Sequence, residues 1–255
     1  MKLILVISVL ALLYFLESIF PLFKGRKDRF KHLLPNASIA IINAFIGVFI
    51  FAFLLIQITS WSGEHSFGLL RIVPLPVWAV WIIGFVLFDL WMYFWHRMNH
   101  EIPFLWRFHR MHHSDLQMDA STALRFHPIE IVFSSFARLI IVALLGLNWE
   151  QLLLYEICLQ PVILFHHSNV GLPEKQDRVL RSIFVSPNMH RVHHSQIVVE
   201  TNSNYSSIFS MWDRLFHSYK KHEPIEGVVF GLPNFQESKW QKVLGMIKTP
   251  FAPLR

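Results

Sequence analysis

Cysteine and charged residues are both scarce in this sequence. The one cysteine, Cys158, lies in an apolar stretch, so an intrachain disulfide and a cysteine-based zinc site are excluded. We expect Cys158 to be a small buried residue. Charged residues make up 16% of the 255 positions and hydrophobic residues 53%, whereas ordinary soluble domains are about 25% charged. Such a composition is typical of a chain that is solvated partly by lipid.

The net charge of +6 does not indicate a nucleic-acid partner. Basic residues are common beside membrane-spanning segments. No tract of the chain interleaves aromatic residues with a basic stripe, as the RNA-binding sheets do. We therefore expect no nucleic acid among the partners.

Long apolar segments predict an all-α integral membrane protein. The first three are long enough to cross about 30 Å of hydrocarbon, and the last two are shorter. A four-residue connection at 147–150 makes the last two a hairpin that either dips into the bilayer or just reaches its far side. No small-x-small cleavage site follows the first segment, so we expect a retained helix and not a signal peptide. The segments cover about residues 3–23, 38–58, 77–95, 131–147 and 151–166.

A basic loop predicts the orientation in the membrane. Residues 24–32 carry Lys24, Arg26, Lys27, Arg29 and Lys31 with one acid, so the positive-inside rule places this loop in the cytoplasm. The alternation of the segments then places every histidine cluster on the same side. We expect one domain over residues 1–255, in which 171–255 form a soluble, histidine-rich cap over the membrane helices.

The histidines are concentrated in three short boxes. The sequence His-Arg-Met-His-His-Ser at 109–114 returns as His-Arg-Val-His-His-Ser at 190–195, and His96 and His100 precede the first copy. Residues three or four apart share one face of a helix, so each box points its imidazoles in one direction. Imidazole is the commonest metal ligand. The boxes therefore predict a metal centre.

The number of histidines predicts two metal ions. Ten neutral imidazoles are too many for one ion, and they fit two ions that each keep an open position. The ligand type suits iron, copper or zinc, and of these iron suits the activation of O₂. The candidate ligands are His96, His100, His109, His112, His113, His127, His167, His190, His193 and His194.

Other metal sites fit the sequence less well. A zinc-protease box needs a glutamate where this chain has Arg97. A bis-histidine haem needs one histidine from each of two helices and not clusters. A transporter needs polar residues in the middle of its spans, where the sequence offers almost none. A non-oxidising metal-binding membrane protein, such as a transporter or sensor, stays open as the alternative.

The box pattern resembles the fatty acid hydroxylase/sterol desaturase superfamily over about residues 80–220. Within it, the chain is most similar to bacterial sterol-desaturase-like proteins and to alkylglycerol monooxygenase. The motifs that carry the resemblance are Trp95-His96-Arg97-x-x-His100, Trp106-x-x-His109-x-x-His112-His113-Ser114, Arg125-Phe126-His127-Pro128-x-Glu130, His167-Ser168-Asn169, His190-x-x-His193-His194, Asn204-Tyr205 and Trp212-Asp213-Arg214-Leu215-Phe216.

The resemblance implies an integral membrane oxidoreductase with two iron ions. Such enzymes hydroxylate or desaturate a lipid substrate that enters from the bilayer, and they use O₂ and electrons. The chain shows no cytochrome b5 domain, so a separate electron donor is expected. Two positions depart from the family pattern, because Ser206 and His217 stand where glycine is usual. Both are expected to affect the shape of the substrate site more than metal binding.

Several polar residues are candidates to support the ligands. Asp89 lies in an apolar span, where it either orients a ligand histidine or pairs with an arginine. Asp115, Glu101 and Glu130 are candidates for the same orienting role. Of the adjacent His166 and His167, the resemblance favours His167 as the ligand. The remaining histidines are interpreted as surface or interface residues, namely His32, His65, His217 and His222.

Overall fold

The structure is a computed structural model that describes residues 2–26 and 28–253. Lys27, one basic residue of the loop at 24–32, lies outside the described residues, as do Met1, Leu254 and Arg255. Within the described ranges the chain is helical, and only isolated β-bridges occur. The α-helices are α1 (Lys2–Ile19), α2 (Arg29–Ile46), α3 (Ala52–Glu64), α4 (Leu69–Ile72), α5 (Val77–Glu101), α6 (Pro103–His113), α7 (Pro128–Leu145), α8 (Trp149–His167), α9 (Glu174–Leu180), α10 (Pro187–His193), α11 (Val198–Thr201), α12 (Met211–Leu215) and α13 (Val243–Lys248).

Four helical stretches among the described residues are long and apolar enough to cross a bilayer. They are α1, the stretch Arg29–Ile72, α5 and α7. The second starts nine residues before the apolar segment that the sequence predicts at 38–58, because the helix continues back into the basic residues. α2 is joined to α3 through one π-helical turn at Gly47–Phe51. The connection between the first two membrane helices therefore ends at Asp28 and not at residue 32.

The predicted hairpin is formed by α7 and α8. Gly146 ends α7 in the left-handed region with a φ of 73°, and the Asn148 side chain caps α8 by accepting from the Gln151 amide at 2.8 Å. A Cβ placed on Gly68 would lie 2.3 Å from the Gly146 Cα, so the turn packs directly against the connection between α3 and α5. Both connections therefore lie at the same end of the bundle.

Charged side chains meet in the middle of the hairpin. Glu156 of α8 accepts from Arg138 of α7 and, at 2.6 Å, from the Lys2 ammonium of α1. The Glu156 side chain is only 13% exposed. The prediction of almost no polar residues in the middle of the spans is therefore wrong at Arg138 and Glu156. Their charges are compensated only in the folded bundle, where the two helices meet.

We expect the substitution Glu156→Gln to destabilise the bundle. Arg138 is 31% exposed and lies in the middle of α7, where its guanidinium would lose its carboxylate. An unpaired arginine near the centre of a membrane helix costs about 3 kcal/mol. Thermal unfolding in detergent measures the change. Glu150→Gln is the matched control, because Glu150 is exposed at the start of α8 and forms no ion pair in the described chain. Equal effects of the two substitutions would contradict this role.

One part of the C-terminal cap lies deeper than the sequence predicts. Asp89 is the thirteenth of the 25 residues of α5, and its buried carboxylate accepts hydrogen bonds from the Trp212 indole and the Tyr155 hydroxyl, both at 2.8 Å. It also accepts from the backbone amides of Ile208 and Phe209. Asp89 therefore neither orients a histidine directly nor pairs with an arginine. It fixes a cap loop to the middle of a membrane helix.

Candidate metal centre

Nine of the ten candidate ligands form two adjacent groups at one end of the bundle. Within each group, one ring nitrogen of every histidine lies within 4.8 Å of the corresponding nitrogens of the others. All nine side chains are buried except His96, which is partly buried. Group A contains His96, His100, His109, His113 and His193, and group B contains His112, His167, His190 and His194.

Four helix ends supply these rings. The last turns of α5 and α6 carry the first two boxes, α8 ends at His167, and the third box lies on α10. The Ser186 hydroxyl caps α10 by accepting from the Met189 amide at 3.2 Å, and Pro187 follows in the first helical turn. Proline is favoured at the first position of a helix because an amide N–H there would have no acceptor within the helix. The third box thus begins within a well-defined helix, and its rings share one face.

Each copy of the repeated box contributes to both groups. The first copy supplies two rings to group A and one, His112, to group B. The second copy supplies one ring, His193, to group A and two to group B. The groups are in contact, since the rings of His113 and His194 stack with 4.4 Å between their centroids. The repeat therefore builds two neighbouring sites from one pattern.

Backbone and carboxylate acceptors fix the orientation of four rings. The Nδ1 atoms of His96 and His193 lie 2.8 and 2.6 Å from the carbonyl oxygens of Tyr205 and Ser203. His167 Nδ1 lies 2.8 Å from the Ile163 carbonyl. An Nδ1–H that donates to such an acceptor leaves the Nε2 lone pair free for a metal. The four Nε2 atoms are therefore available in the centre.

Glu130 orients the fourth of these rings. Its Oε1 atom lies 2.7 Å from His109 Nδ1, and both side chains are buried. A carboxylate behind a ligating imidazole increases the basicity of the ligand. Of the three carboxylates that the sequence offered, only Glu130 contacts a grouped histidine directly. Asp115 binds His32, and Glu101 forms a surface pair with Arg97.

Many of the ring nitrogens have no hydrogen-bond partner among residues 2–26 and 28–253. In group A these buried atoms include both nitrogens of His100 and of His113, and Nε2 of His109 and His193. Buried polar atoms in folded proteins are almost always paired, so each exception needs an explanation. In group B, His167 Nε2 lies 3.0 Å from the Nε2 atoms of both His112 and His190. Two bound cations would satisfy both groups, so the residues fit a two-metal centre.

Five of the grouped histidines outside the membrane helices have lowered pKa values. Burial, and after it the charge of the neighbouring imidazoles, holds the pKa values of His112, His113 and His190 well below the usual range. The pKa values of His193 and His194 are lowered for the same reasons. A neutral imidazole is the form that ligates metal, and lowered pKa values favour this form of the five rings at neutral pH.

The structure does not bring His127 to either group. Its Nδ1 accepts from the Ile129 amide at 3.1 Å, and its Nε2 lies 3.1 Å from the Ile247 carbonyl. His127 is thus the N-cap of α7, with both ring nitrogens bound to the backbone. His166 is also outside the groups, although it is buried and stacks on His190 with 4.0 Å between centroids. The structure places His167 in group B, which is the choice that the family resemblance favours.

The arginines of the repeated box have a structural role that the sequence analysis missed. The guanidinium of Arg110 donates to the carbonyls of Thr249 and Ala252, and that of Arg191 donates to the carbonyls of Ser168 and Val170. Both side chains are buried. Each arginine ties a distant chain segment to the helix that carries the ligands. The repetition of arginine in both boxes was the signal that could have indicated this role.

His32 is part of a buried network and not a surface residue. Its ring nitrogens lie 2.8 Å from an Asp115 carboxylate oxygen and 3.0 Å from one of Asp119. Arg125 reaches the same region, where its Nε donates to the Met111 carbonyl at 3.0 Å. The network connects α2 to the segment after α6 and thereby supports the second histidine box.

The two departures from the family pattern lie in the loop before and after α12. His217 has a φ of 58°, in the left-handed region that glycine adopts without steric cost. This conformation explains why glycine is usual there. The amide of buried Ser206 donates to the Asp213 carboxylate at 3.0 Å. Among the described residues, neither is hydrogen-bonded to a grouped histidine, and the expectation that both affect the substrate site more than metal binding stays a prediction.

We expect Glu130→Ala to weaken metal binding without abolishing it. His109 would keep its place on α6 but lose the acceptor that holds its ring, and removal of such a partner lowers metal affinity about 10- to 100-fold. Competition with a chelator measures this affinity in the purified protein. Glu101→Ala is the control, because Glu101 pairs with Arg97 at the surface. Unchanged affinity in Glu130→Ala would contradict the orienting role.

The comparisons with known proteins agree with the site. The model of the fatty acid hydroxylase family matches residues 81–218. An ornithine lipid hydroxylase from Rhizobium tropici is 33% identical over 143 residues, which are 56% of this chain and 42% of the relative. An alkylglycerol monooxygenase from Homo sapiens is 29% identical over 186 residues, which are 69% of this chain and 38% of the relative. A very-long-chain aldehyde decarbonylase from Oryza sativa subsp. japonica is 27% identical over 177 residues, which are 68% of this chain and 66% of the relative.

No solved structure matches the chain. The aligned region spans about two fifths of the length of the first two relatives, so the likeness concerns the part that carries the histidines. The family match covers more than half of this chain and includes every histidine of both groups. By that match, the chain belongs to the fatty acid hydroxylase family.

Proposed function

We propose that this protein is a membrane-embedded di-iron oxygenase that hydroxylates a long-chain lipid, using O₂ and electrons from a separate donor. One observation carries the proposal: nine imidazoles, eight of them buried and His96 partly buried, form two adjacent groups. In group A several ring nitrogens have no partner among the described residues, and in group B three Nε2 atoms lie against one another. Two neighbouring ions with nitrogen ligands and open positions are the arrangement needed to activate O₂.

The bound irons would supply the oxidising power for an unactivated C–H bond. The residues of the chain do the rest. The two groups hold the ions, while Glu130 and the Tyr205 and Ser203 carbonyls keep the rings in one tautomer. The buried position of the rings keeps bulk water away from them, which protects a reactive centre from side reactions.

The substrate is expected to reach the site from the bilayer. Large apolar side chains are exposed on the membrane helices, among them Phe45, Phe49 and Phe53 in the second stretch and Phe136 and Ile140 on α7. In a soluble monomer such a surface would be a liability, and on these helices it fits lipid. The histidine groups lie at the end of the bundle where α5 and α8 end and where α7 begins, with Glu130 of α7 bonded to His109. A long apolar substrate can therefore remain in the membrane while one of its carbons approaches the metals.

Hydroxylation is preferred to desaturation on the basis of the relatives. Two of those named above are a hydroxylase and a monooxygenase. A desaturase would need only a second hydrogen abstraction, so the position of the substrate decides the outcome. The alternative is a non-oxidising metal-binding membrane protein, such as a transporter or sensor.

Metal analysis combined with O₂ consumption tests the proposal. The protein purified in detergent should contain about two irons per chain. It should consume O₂ when a reductant and a total lipid extract are added, and mass spectrometry should find products heavier by one oxygen atom. Bound metal that exchanges freely, with no lipid-dependent O₂ consumption, would favour the transporter or sensor.

We expect the histidine end to face the cytoplasm, because the basic residues between α1 and α2 lie at that end. In a Cys158→Ala background, a cysteine at His65, in the connection after α3, should react with an impermeant reagent from outside intact cells. A cysteine at Glu226 in the cap should react only after the cells are opened. The same accessibility at both positions would refute this orientation.

A further inference from the structure

The cap exposes apolar side chains that the proposed function does not use. Val179, Ile183, Phe184, Met211 and Leu215 are between 39% and 70% exposed. We name these five residues the cap patch. They lie in the C-terminal region, which the sequence predicted to be soluble. An exposed apolar patch of this kind marks a contact with a partner or with a membrane.

The two segments that form the cap patch are bonded to each other. The Ser210 amide donates to the Ile183 carbonyl at 3.0 Å, and the Val185 amide donates to the Ile208 carbonyl at 2.9 Å. The Phe184 and Phe209 rings stack with 5.9 Å between their centroids. The patch is therefore one rigid surface.

The same segments reach far down the membrane helices. Ile208 belongs to the buried core between α5, α7 and α8, together with Phe88 and Tyr155. The Phe209 ring packs against Phe85 of α5, with 6.0 Å between centroids. Phe85 precedes His96 by 11 residues, which is about 16 Å along a helix. Phe184, which stacks on Phe209, thus lies at a depth where a membrane helix is surrounded by lipid.

The charges around the cap patch also fit a membrane. Exposed basic residues of the same region are Lys175, Arg178, Arg214, Lys220 and Lys221, and they outnumber the exposed acids Glu174, Glu223 and Glu226. Two of the basic residues are paired, Arg178 with Glu174 and Lys221 with Glu223. Arg214 is held with its guanidinium 4.6 Å from the centre of the Tyr219 ring and donates to the Arg181 carbonyl. Apolar side chains bordered by arginine and lysine are typical of segments that lie in the interfacial layer and contact anionic headgroups.

We propose that the cap patch lies in the bilayer, with its apolar side chains among the acyl chains and its basic border at the anionic headgroups. The cap is then a part of the membrane domain and not a soluble cover. This inference rests on the proposed membrane location of the protein. A second copy of the chain is the competing occupant of the patch.

Fluorescence quenching by lipids tests this placement. In the full chain with Cys158→Ala, single cysteines replace Ile183 or Leu215 and carry an environment-sensitive fluorophore. The protein is reconstituted in vesicles of phosphatidylcholine and phosphatidylglycerol, with or without acyl-chain nitroxides. We expect a blue-shifted emission at both positions and a loss of that emission with nitroxide lipids.

Two further positions make the result decisive. Val198 is 71% exposed at the level of the histidines and should be neither shifted nor quenched, whereas Ile140 on α7 is 61% exposed and should be quenched. Quenching at Ile140 alone would overturn the cap placement and leave the membrane location intact. No quenching at Ile140 would overturn the membrane location itself. A blue shift at Ile183 that nitroxide lipids do not quench, and that grows with protein density, would assign the patch to a second copy.

Discussion

The substitution His193→Ala is expected to abolish turnover and to remove bound metal. His193 is fully buried in group A, and its Nε2 has no hydrogen-bond partner in the part of the chain that the structure describes. The centre of its ring lies 4.5 to 4.7 Å from those of His96, His100 and His113. Alanine would leave one ion with four possible ligands and an enlarged cavity. The loss of a group that only orients a ligand already lowers metal affinity about 10- to 100-fold, so the loss of a ligating imidazole should lower it further. Iron content and lipid-dependent O₂ consumption measure both effects.

His127→Ala is the matched control for this experiment. It also removes a buried histidine, but one whose ring nitrogens both bind the backbone. We expect full metal content and a loss of about 1 kcal/mol in stability, which is the usual effect of losing a helix N-cap. His65→Ala should change neither property, because His65 is exposed at the end of α3. Loss of metal in His127→Ala, or its retention in His193→Ala, would refute the ligand set.

The spacing of the boxes was enough to predict that these histidines come together. Residues that are three and four positions apart lie on one face of a helix. Three histidine faces with similar spacing are best explained by one shared metal centre. The spacing could not show which ring belongs to which group. That division depends on how α6 and α10 approach each other, and it reverses between the two copies of the box.

His127 shows where a motif stops being informative. A histidine before proline at the start of a helix can direct a lone pair to a metal or to the first free amides of the helix. The sequence is the same in both cases. Only the contacts of the ring with the Ile129 amide and the Ile247 carbonyl show that His127 is a helix cap. His32 was missed for a related reason, because its partners Asp115 and Asp119 are more than 80 residues away.

The sequence predicted the apolar helices better than it predicted the residues at which they begin and end. Apolar content identified the segments, but arginine and lysine are good helix formers, so α2 continues through Arg29 and Lys31. Hydropathy also gave no reason to place a C-terminal loop at the middle of α5. The signal for that contact was a single aspartate in an apolar span, and its partners are some 120 residues further along the chain.

Asp89→Ala is expected to weaken the metal centre from a distance. The carboxylate accepts four hydrogen bonds from Tyr155, Ile208, Phe209 and Trp212. Its removal leaves buried donors unpaired, which costs about 3 kcal/mol or more. The loop it anchors also carries the Tyr205 and Ser203 carbonyls that orient His96 and His193. Two ligands of group A therefore depend on a residue that contacts neither of them.

Metal affinity measured below the unfolding temperature separates this positioning role from a loss of the fold. We expect Asp89→Ala to bind metal about tenfold more weakly, as for the loss of other groups that orient ligands. Asp89→Asn keeps one oxygen acceptor and should recover part of both stability and affinity. Glu101→Ala, on the same helix but exposed, should leave both unchanged. If Asp89→Ala loses stability while its metal affinity stays at the level of the unmodified protein, the anchored loop does not determine the orientation of His96 and His193.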